Sequence, residues 1–306
     1  MHLAFLPKRG TMARREAYWF YGLITPWTLG FLLFTAYPII SSILLSLMRW
    51  DLVHSPKPVG FSNYTQALTR DPLFWQSLKV TAIYTFGSVP IRLAAGLAVA
   101  ILMNQKIPWM PFFRTIWYLP SVVSGVAVAI LWLWIFNPYF GLLNYLIWLI
   151  FRVQGPFWLA KEELVLPAFI IMSLWSVGGG MVIVLAALQG VPTELYEAAE
   201  IDGAARWSKF LHITIPMVSP VIFFNLVTGI IDTFQVFTAG YVMTSGGPNN
   251  ASLFYVLYLY RNAWQYLAMG YASALAWILF VVIMFFTVLV LRSSSLWVHY
   301  EGVRAR

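Results

Sequence analysis

The sequence predicts an all-α integral membrane protein, a helical bundle with six transmembrane helices. Apolar residues make up 60% of the 306 positions and charged residues only 10%, against about 45–50% and about 25% in a soluble domain. Mean hydropathy is +0.76. Uncharged stretches of about 20 residues, the length that crosses a hydrocarbon core, recur along the chain. With so few charges, a soluble fold of this size would have no polar surface to present.

The first span is 19–48, uncharged throughout. It is far longer than the apolar region of a cleaved signal peptide (about 7–15 residues), and no A-x-A site follows it, so it reads as an uncleaved anchor. The second span is 80–103, interrupted only by Arg92. Residues 115–151 carry no charge and are too many for one crossing. Pro138, with Asn137 before it and Gly141 after, divides them into a third span, 115–136, and a short segment, 139–151, expected at the outer interface. The fourth span is 164–188; the fifth, 215–243, carries Asp232; the sixth is 267–291. Residues 1–18 and 292–306 are then tails, and 19–291 is the membrane domain.

Six spans place both tails on one side. That side collects eleven Lys and Arg against seven on the other, which predicts cytoplasmic termini by the positive-inside rule. The net charge of +8 is spread over loops and tails. It fits topology and contact with anionic lipid, and no nucleic-acid partner is expected. The chain has no cysteine, which excludes disulfides, thiolate metal sites and thiol catalysis. His2, His54, His212 and His299 stand singly, so no metal site is expected, and no GxxxxGK[ST] phosphate loop occurs.

One loop on the cytoplasmic side, 190–214, is more than a connector. Four of the eleven acidic residues fall between Glu194 and Asp202. Pro192 and Thr193 start a short helix, with Glu194 favourably placed in its first turn. Leu195, Ala198, Ala199 and Asp202 share one face, and the two alanines allow a partner to approach closely. Gly203 supplies a stop or sharp bend. A second short helix with Trp207, Phe210 and Leu211 on one side is expected to end at Pro216. The pattern alone leaves a plain connecting loop as an alternative.

The residues Glu197-Ala198-Ala199-x-x-Asp202-Gly203-Ala204, followed by Phe210, Ile213, Pro216 and Pro220, closely resemble the EAA motif of ABC importer permeases. Gly60-Phe61-Ser62-Asn63-Tyr64 resembles the family's G-x-x-N-Y segment. Arg114-Thr115-Ile116 through Leu119-Pro120, then Trp132, Phe136, Gly141 and Asn144, follows its third-span pattern. Met243-Thr244-Ser245-Gly246-Gly247-Pro248, then Tyr260 and Gly270-Tyr271-x-Ser273-Ala274, is similar to the carbohydrate-uptake branch, of the maltose-permease F and glycerol-phosphate-permease A type. Many relatives carry an Asp after the Phe corresponding to Phe237; here Thr238 follows.

The resemblance implies a non-enzymatic permease subunit of a binding-protein-dependent importer for a sugar or related polyol, in a bacterial or archaeal plasma membrane. Its partners would be a second, homologous permease subunit, two ATPase subunits and an extracytoplasmic solute-binding protein. ATP and magnesium would be held by the ATPase, with no cofactor on this chain. Glu197, Ala198, Ala199, Asp202, Gly203 and Ala204 would form the coupling helix that docks into the ATPase. The rival is an ion-gradient-driven secondary transporter or channel, but no clear internal repeat is present and only one acid lies within a span. An intramembrane enzyme would need a nucleophile–base pair, and none is evident.

For a solute path, Asn225, Thr228, Asp232 and Gln235 form one polar stripe on the fifth span. Such a stripe faces a partner helix or a water-filled path, and both readings stay open. Ser173, Ser176 and Gly178-Gly179-Gly180 on the fourth span either let helices pack closely or leave room for a ligand. In the resembling family these two spans line the solute site, which favours Ser173, Ser176, Gly179, Asn225, Thr228, Asp232 and Gln235 as path residues. Arg92 and Asp232 are the only charges within the six spans. Both fall near mid-helix and are expected to pair across the interior, because an unpaired charge there costs at least about 2.5–3.5 kcal/mol. The alternative is that Arg92 meets helix-end carbonyls or water while Asp232 faces the solute path alone.

Overall fold

The computed structural model describes residues 11–299. His2, Lys8, Arg9, Arg304 and Arg306, and with them the rest of 1–10 and 300–306, lie outside the described residues. The helices are α1 (Thr11–Phe31), α2 (Tyr37–Ser46), α3 (Ser62–Thr69), α4 (Pro72–Met103), α5 (Met110–Tyr118), α6 (Gly125–Ile135), α7 (Leu142–Phe151), α8 (Glu162–Ser173) and α9 (Gly178–Gln189). They continue as α10 (Thr193–Ile201), α11 (Arg206–Lys209), α12 (Ile215–Phe234), α13 (Thr238–Met243), α14 (Tyr255–Tyr260) and α15 (Met269–Trp297). Two short strands, β1 (Met48–Arg49) and β2 (Lys57–Pro58), pair antiparallel.

Among the described residues, four helical runs are long and apolar enough to cross a membrane: Met12–Ser46, Pro72–Met103, Arg206–Met243 and Met269–Trp297. Two bent pairs raise the number to six if each counts as one span. Residues 115–136, expected as one straight span, instead bend by 100° between Met110–Val122 and Gly125–Ile135. Pro120 lacks the amide that would continue the ladder. The Ser121 hydroxyl donates to Tyr118 O at 2.6 Å, a 3₁₀ turn covers Leu119–Val122, and Val123 is extended. The second pair, Glu162–Ser176 and Gly178–Gln189, bends by 48° through a 3₁₀ turn at Leu174–Ser176. Four of the long or paired helices carry an internal proline, at Pro26, Pro90, Pro167 and Pro220. Membrane helices tolerate proline where neighbouring groups and π or 3₁₀ adjustments satisfy the freed carbonyls.

Two compact units divide the chain: residues up to Thr65 with Asn262–Trp277, and Gln66–Arg261 with Ile278 onward. In the first, the apolar run Met12–Ser46 is almost wholly exposed. The G-x-x-N-Y segment closes its end. Gly60 takes φ +57°, and the Asn63 amide donates to Ser46 O at 2.8 Å and Met48 O at 2.9 Å. The Tyr64 hydroxyl donates to Ser46 Oγ at 2.8 Å. The Ser46 carbonyl would otherwise be an orphan of the α2 terminus.

The second unit holds the main core. One apolar cluster joins Val99, Ala100 and Met103 of α4, Met181, Val184 and Leu188 of α9, and Val218 of α12. Earlier along α4, Phe86 meets Phe234 at the end of α12, with ring centroids 6.4 Å apart. The early part of α4 therefore lies against the late part of α12 and the reverse, so the two helices run antiparallel. Asn144, in the segment expected at the interface, is a hub: it accepts from Trp158 Nε1 at 2.7 Å and donates to Pro138 O and Pro156 O, each at 3.2 Å.

Candidate functional site

The helix–Gly–helix knuckle is built from α10 and α11. Its turn has two backbone ties: Gly203 N–H donates to Glu200 O at 3.0 Å and Ala204 N–H to Ala199 O at 2.8 Å. This is the Schellman pattern, and Gly203 takes φ +77°, where an L side chain costs roughly 1–2 kcal/mol. The second helix does not stop at Pro216. A π turn at Phe210–Thr214 absorbs the register shift, Pro216 falls in the first turn of α12, where its missing N–H is not needed, and the run continues unbroken from Arg206.

Tyr196 faces inward against the apolar cluster, and its hydroxyl lies 3.0 Å from Thr214 Oγ1. Leu195, Glu197, Ala198, Asp202 and Gly203 are exposed, while Ala199 and Ala204 are half-buried. Ile201 is 88% exposed and Trp207 69%, a sizeable apolar surface on a charged loop. Glu200 receives Lys209 Nζ at 2.5 Å, and the hydrogen bond and charge of Lys209 hold its carboxyl below the usual glutamate range.

A cavity of about 340 Å³ opens between α4, α9 and α12, lined by Arg92, Ser176, Gly179, Gly180, Asn225, Thr228 and Asp232 among others. That volume is in the range of small-molecule sites, roughly 300–1,000 Å³. The irregular Leu174–Ser176 turn sits on its wall, as expected where non-helical backbone at membrane depth lines a cavity. The three glycines divide between the two roles the sequence left open. A Cβ at Gly178 would lie 2.2 Å from Trp117 O, so this glycine permits close packing, whereas Gly179 and Gly180 face only ordinary contacts and line the cavity. The Asn225 amide donates to Gly180 O at 3.4 Å.

Two predicted path residues lie outside the lining. Ser173 is buried, its hydroxyl returned to Ile170 O at 2.7 Å. Gln235 caps the end of α12 and donates to Ile231 O at 3.1 Å; after a break at 235–237, α13 carries the run on to Met243. The expected Arg92–Asp232 ion pair does not form: both residues line the cavity, but neither has an ion-pair partner within 4.0 Å among the described residues. The reason is register. A Cβ on Gly229 would stand 3.4 Å from Val89 Cγ1, so these positions are level on the antiparallel pair. Arg92 and Asp232 each lie three residues beyond that level in opposite directions, about 9 Å apart along the axes at 1.5 Å per residue. Sequence reasoning left Gly180 open between packing and ligand space and did not place Arg92 on the cavity; α4–α12 antiparallelism, implied by span parity, was the available signal for Arg92.

The G-G-P loop is firmly tied. Ser252 Oγ donates to Gly247 O at 2.6 Å, Asn249 Nδ2 to Glu162 Oε1 at 2.6 Å, and Arg261 to Ser245 O.

Comparison with known proteins agrees with this geometry. Residues 83–295 match the family described as binding-protein-dependent transport system inner membrane component. The chain is 40% identical over 298 residues to the probable ABC transporter permease protein YesP of Bacillus subtilis, covering 96% of each. It is 34% identical over 278 residues to the arabinooligosaccharides transport system permease protein AraP of the same organism, covering 90% of this chain and 88% of that one. A permease chain in the crystal structure of a bacterial alginate ABC transporter, in complex with an alginate pentasaccharide-bound periplasmic protein, superposes with a TM-score of 0.78 at 23% identity. The match covers 92% of this chain and 95% of that one, and shows a shared fold. The chain belongs to the binding-protein-dependent inner-membrane family and is a multi-pass permease subunit of an ABC importer of the carbohydrate-uptake branch.

Proposed function

We propose that this subunit carries a sugar or related polyol through the cavity between α4, α9 and α12 by alternating access, driven by ATP hydrolysis on a separate chain. The observation that carries this is the cavity's composition: hydroxyl, amide and both signs of charge at membrane depth in an otherwise apolar bundle. A polyhydroxyl solute leaving water needs donors and acceptors in that number, because an unmatched polar group costs about 1–3 kcal/mol. The arabinooligosaccharide relative supports the same class.

The exposed face bearing Leu195, Glu197, Ala198 and Asp202 docks on an ATPase subunit, which holds ATP and magnesium; this chain supplies no cofactor. The working assembly has a second, homologous permease subunit, two ATPases and an external solute-binding protein in a bacterial or archaeal plasma membrane. Both termini and the knuckle lie in the cytoplasm, in keeping with the eleven-to-seven bias in Lys and Arg. α7 lies at the outer interface, with Arg152 over the Trp148 ring at 4.6 Å. An ion-gradient mechanism is disfavoured by membership in an ATP-driven family.

The test is uptake of labelled solutes by vesicles carrying the full complex, with binding protein outside and ATP inside. ATP-dependent accumulation of a sugar or polyol is expected. Accumulation driven by an ion gradient without ATP, or of no sugar or polyol in a broad panel, would overturn the proposal.

A further inference from the structure

α10 reaches α12 through a turn centred on Gly203, a residue with no neighbour within 4 Å of its Cβ position. A glycine turn alone would bend under load, and motion of the exposed face would be lost there. Two side-chain ties bridge the turn. Tyr196 and Glu200 stand one helical turn apart on α10 and so lie on the same side. Their partners, Thr214 and Lys209, lie on the run leading into α12, at 3.0 Å and 2.5 Å respectively. The partners are themselves linked, Thr214 Oγ1 donating to Lys209 O at 3.5 Å. The Lys209 side chain is only 16% exposed although Glu200 is 65% exposed, so the cation is held against the protein and the acid comes to it. Beyond Thr214, α12 carries Asn225, Thr228 and Asp232 on the cavity wall.

We infer that Glu200 and Lys209 are positioning residues for coupling: with the Tyr196–Thr214 tie they brace the glycine turn, so that displacement of the exposed face moves α12 and the cavity wall as one body. This rests on the proposed docking of that face on an ATPase. Neither residue touches solute. Glu200 lies beside the docking acids, but its carboxylate is turned back onto its own chain.

The experiment uses the full complex in lipid vesicles with its binding protein, comparing the wild type with Glu200→Gln, Lys209→Gln and the exchange Glu200→Lys with Lys209→Glu. Three quantities are read: the amount of assembled complex, ATP hydrolysed and solute moved per ATP. Each single variant is expected to lower solute moved per ATP roughly two- to five-fold, the size expected for an ion pair partly open to water, with the complex still assembled. The exchange should restore at least half of the loss. Tyr196→Phe should lower the ratio in the same direction.

Four outcomes would overturn the inference: an unchanged ratio in both single variants; a fall in assembled complex with an unchanged ratio, which marks a structural role only; a defect in Glu200→Gln with Lys209→Gln silent, which marks a direct ATPase contact; or no recovery in the exchange. Failure of the proposed function itself would look different, because the wild-type complex would then show no solute-dependent ATP hydrolysis at all.

Discussion

Arg92 and Asp232 show how six residues of register decide what two charges do. Set level on facing helices, they would neutralise each other; set about 9 Å apart along α4 and α12, they line one polar cavity without meeting. Arg92→Leu and Asp232→Leu should therefore each reduce uptake, while a double-mutant cycle on detergent thermal stability should give a coupling below about 0.5 kcal/mol. A coupling above about 1.5 kcal/mol would show a direct pair. The polar stripe divides in the same way. Cysteines placed at Thr228 and Asp232 in this cysteine-free chain should react with water-soluble thiol reagents, and one at buried Ser173 should not. Removing the Asn225 amide by Asn225→Ala should lower transport several-fold, the size of one hydrogen bond at about 0.5–1.5 kcal/mol. Wild-type uptake by Asn225→Ala, with 228 and 232 unreactive in every nucleotide state, would reduce the stripe to packing.

The broken helices are where packing and passage meet. Two neighbouring glycines at the start of α9 behave differently because their surroundings differ. Gly178 lies under the Trp117 carbonyl, whose oxygen would stand only 2.2 Å from a Cβ, while Gly179 has only the Ser121 Cβ at 4.0 Å. Gly178→Ala should destabilise the subunit by about 1–3 kcal/mol, since a backbone atom must shift to admit the methyl. Gly179→Ala should leave the melting temperature unchanged and alter uptake by narrowing the cavity. Equal melting temperatures for the two variants would refute the packing role of Gly178. At the knuckle, α10 depends on Gly203 at φ +77°; Gly203→Val strains the turn and should uncouple ATP hydrolysis from uptake while the chain still inserts.

Across the whole molecule, the exposed apolar and acidic face of the knuckle is the surface with most to gain from a partner. Ile201 and Trp207 stand in water beside Glu197 and Asp202. Glu197→Lys reverses a charge on that face, and a mispaired interfacial charge costs several kcal/mol. The variant should insert and retain its thermal stability, yet fail to stimulate ATP hydrolysis on solute addition. Normal stimulation in a fully assembled Glu197→Lys complex would place the docking surface elsewhere.

Composition, charge spacing and the Glu197–Ala204 pattern were sufficient to read a helical membrane bundle, its family and a knuckle turning at Gly203, because span length, hydropathy and a left-handed glycine turn are set by residues close together in the chain. The same local logic located the polar groups on the fourth and fifth spans without saying which of them meet. The folded structure decided that Ser173 turns into its own helix, that residues 115–136 bend by 100°, that the helix after the knuckle runs through Pro216, and that Arg92 and Asp232 share a cavity without pairing. Each of these depends on the level at which one helix lies against another, or on which carbonyl a hydroxyl or π turn reaches. Those levels are fixed by distant contacts such as Phe86 on Phe234 and Val89 on Gly229, between residues about 140 positions apart along the chain, where periodicity within a single helix carries no information.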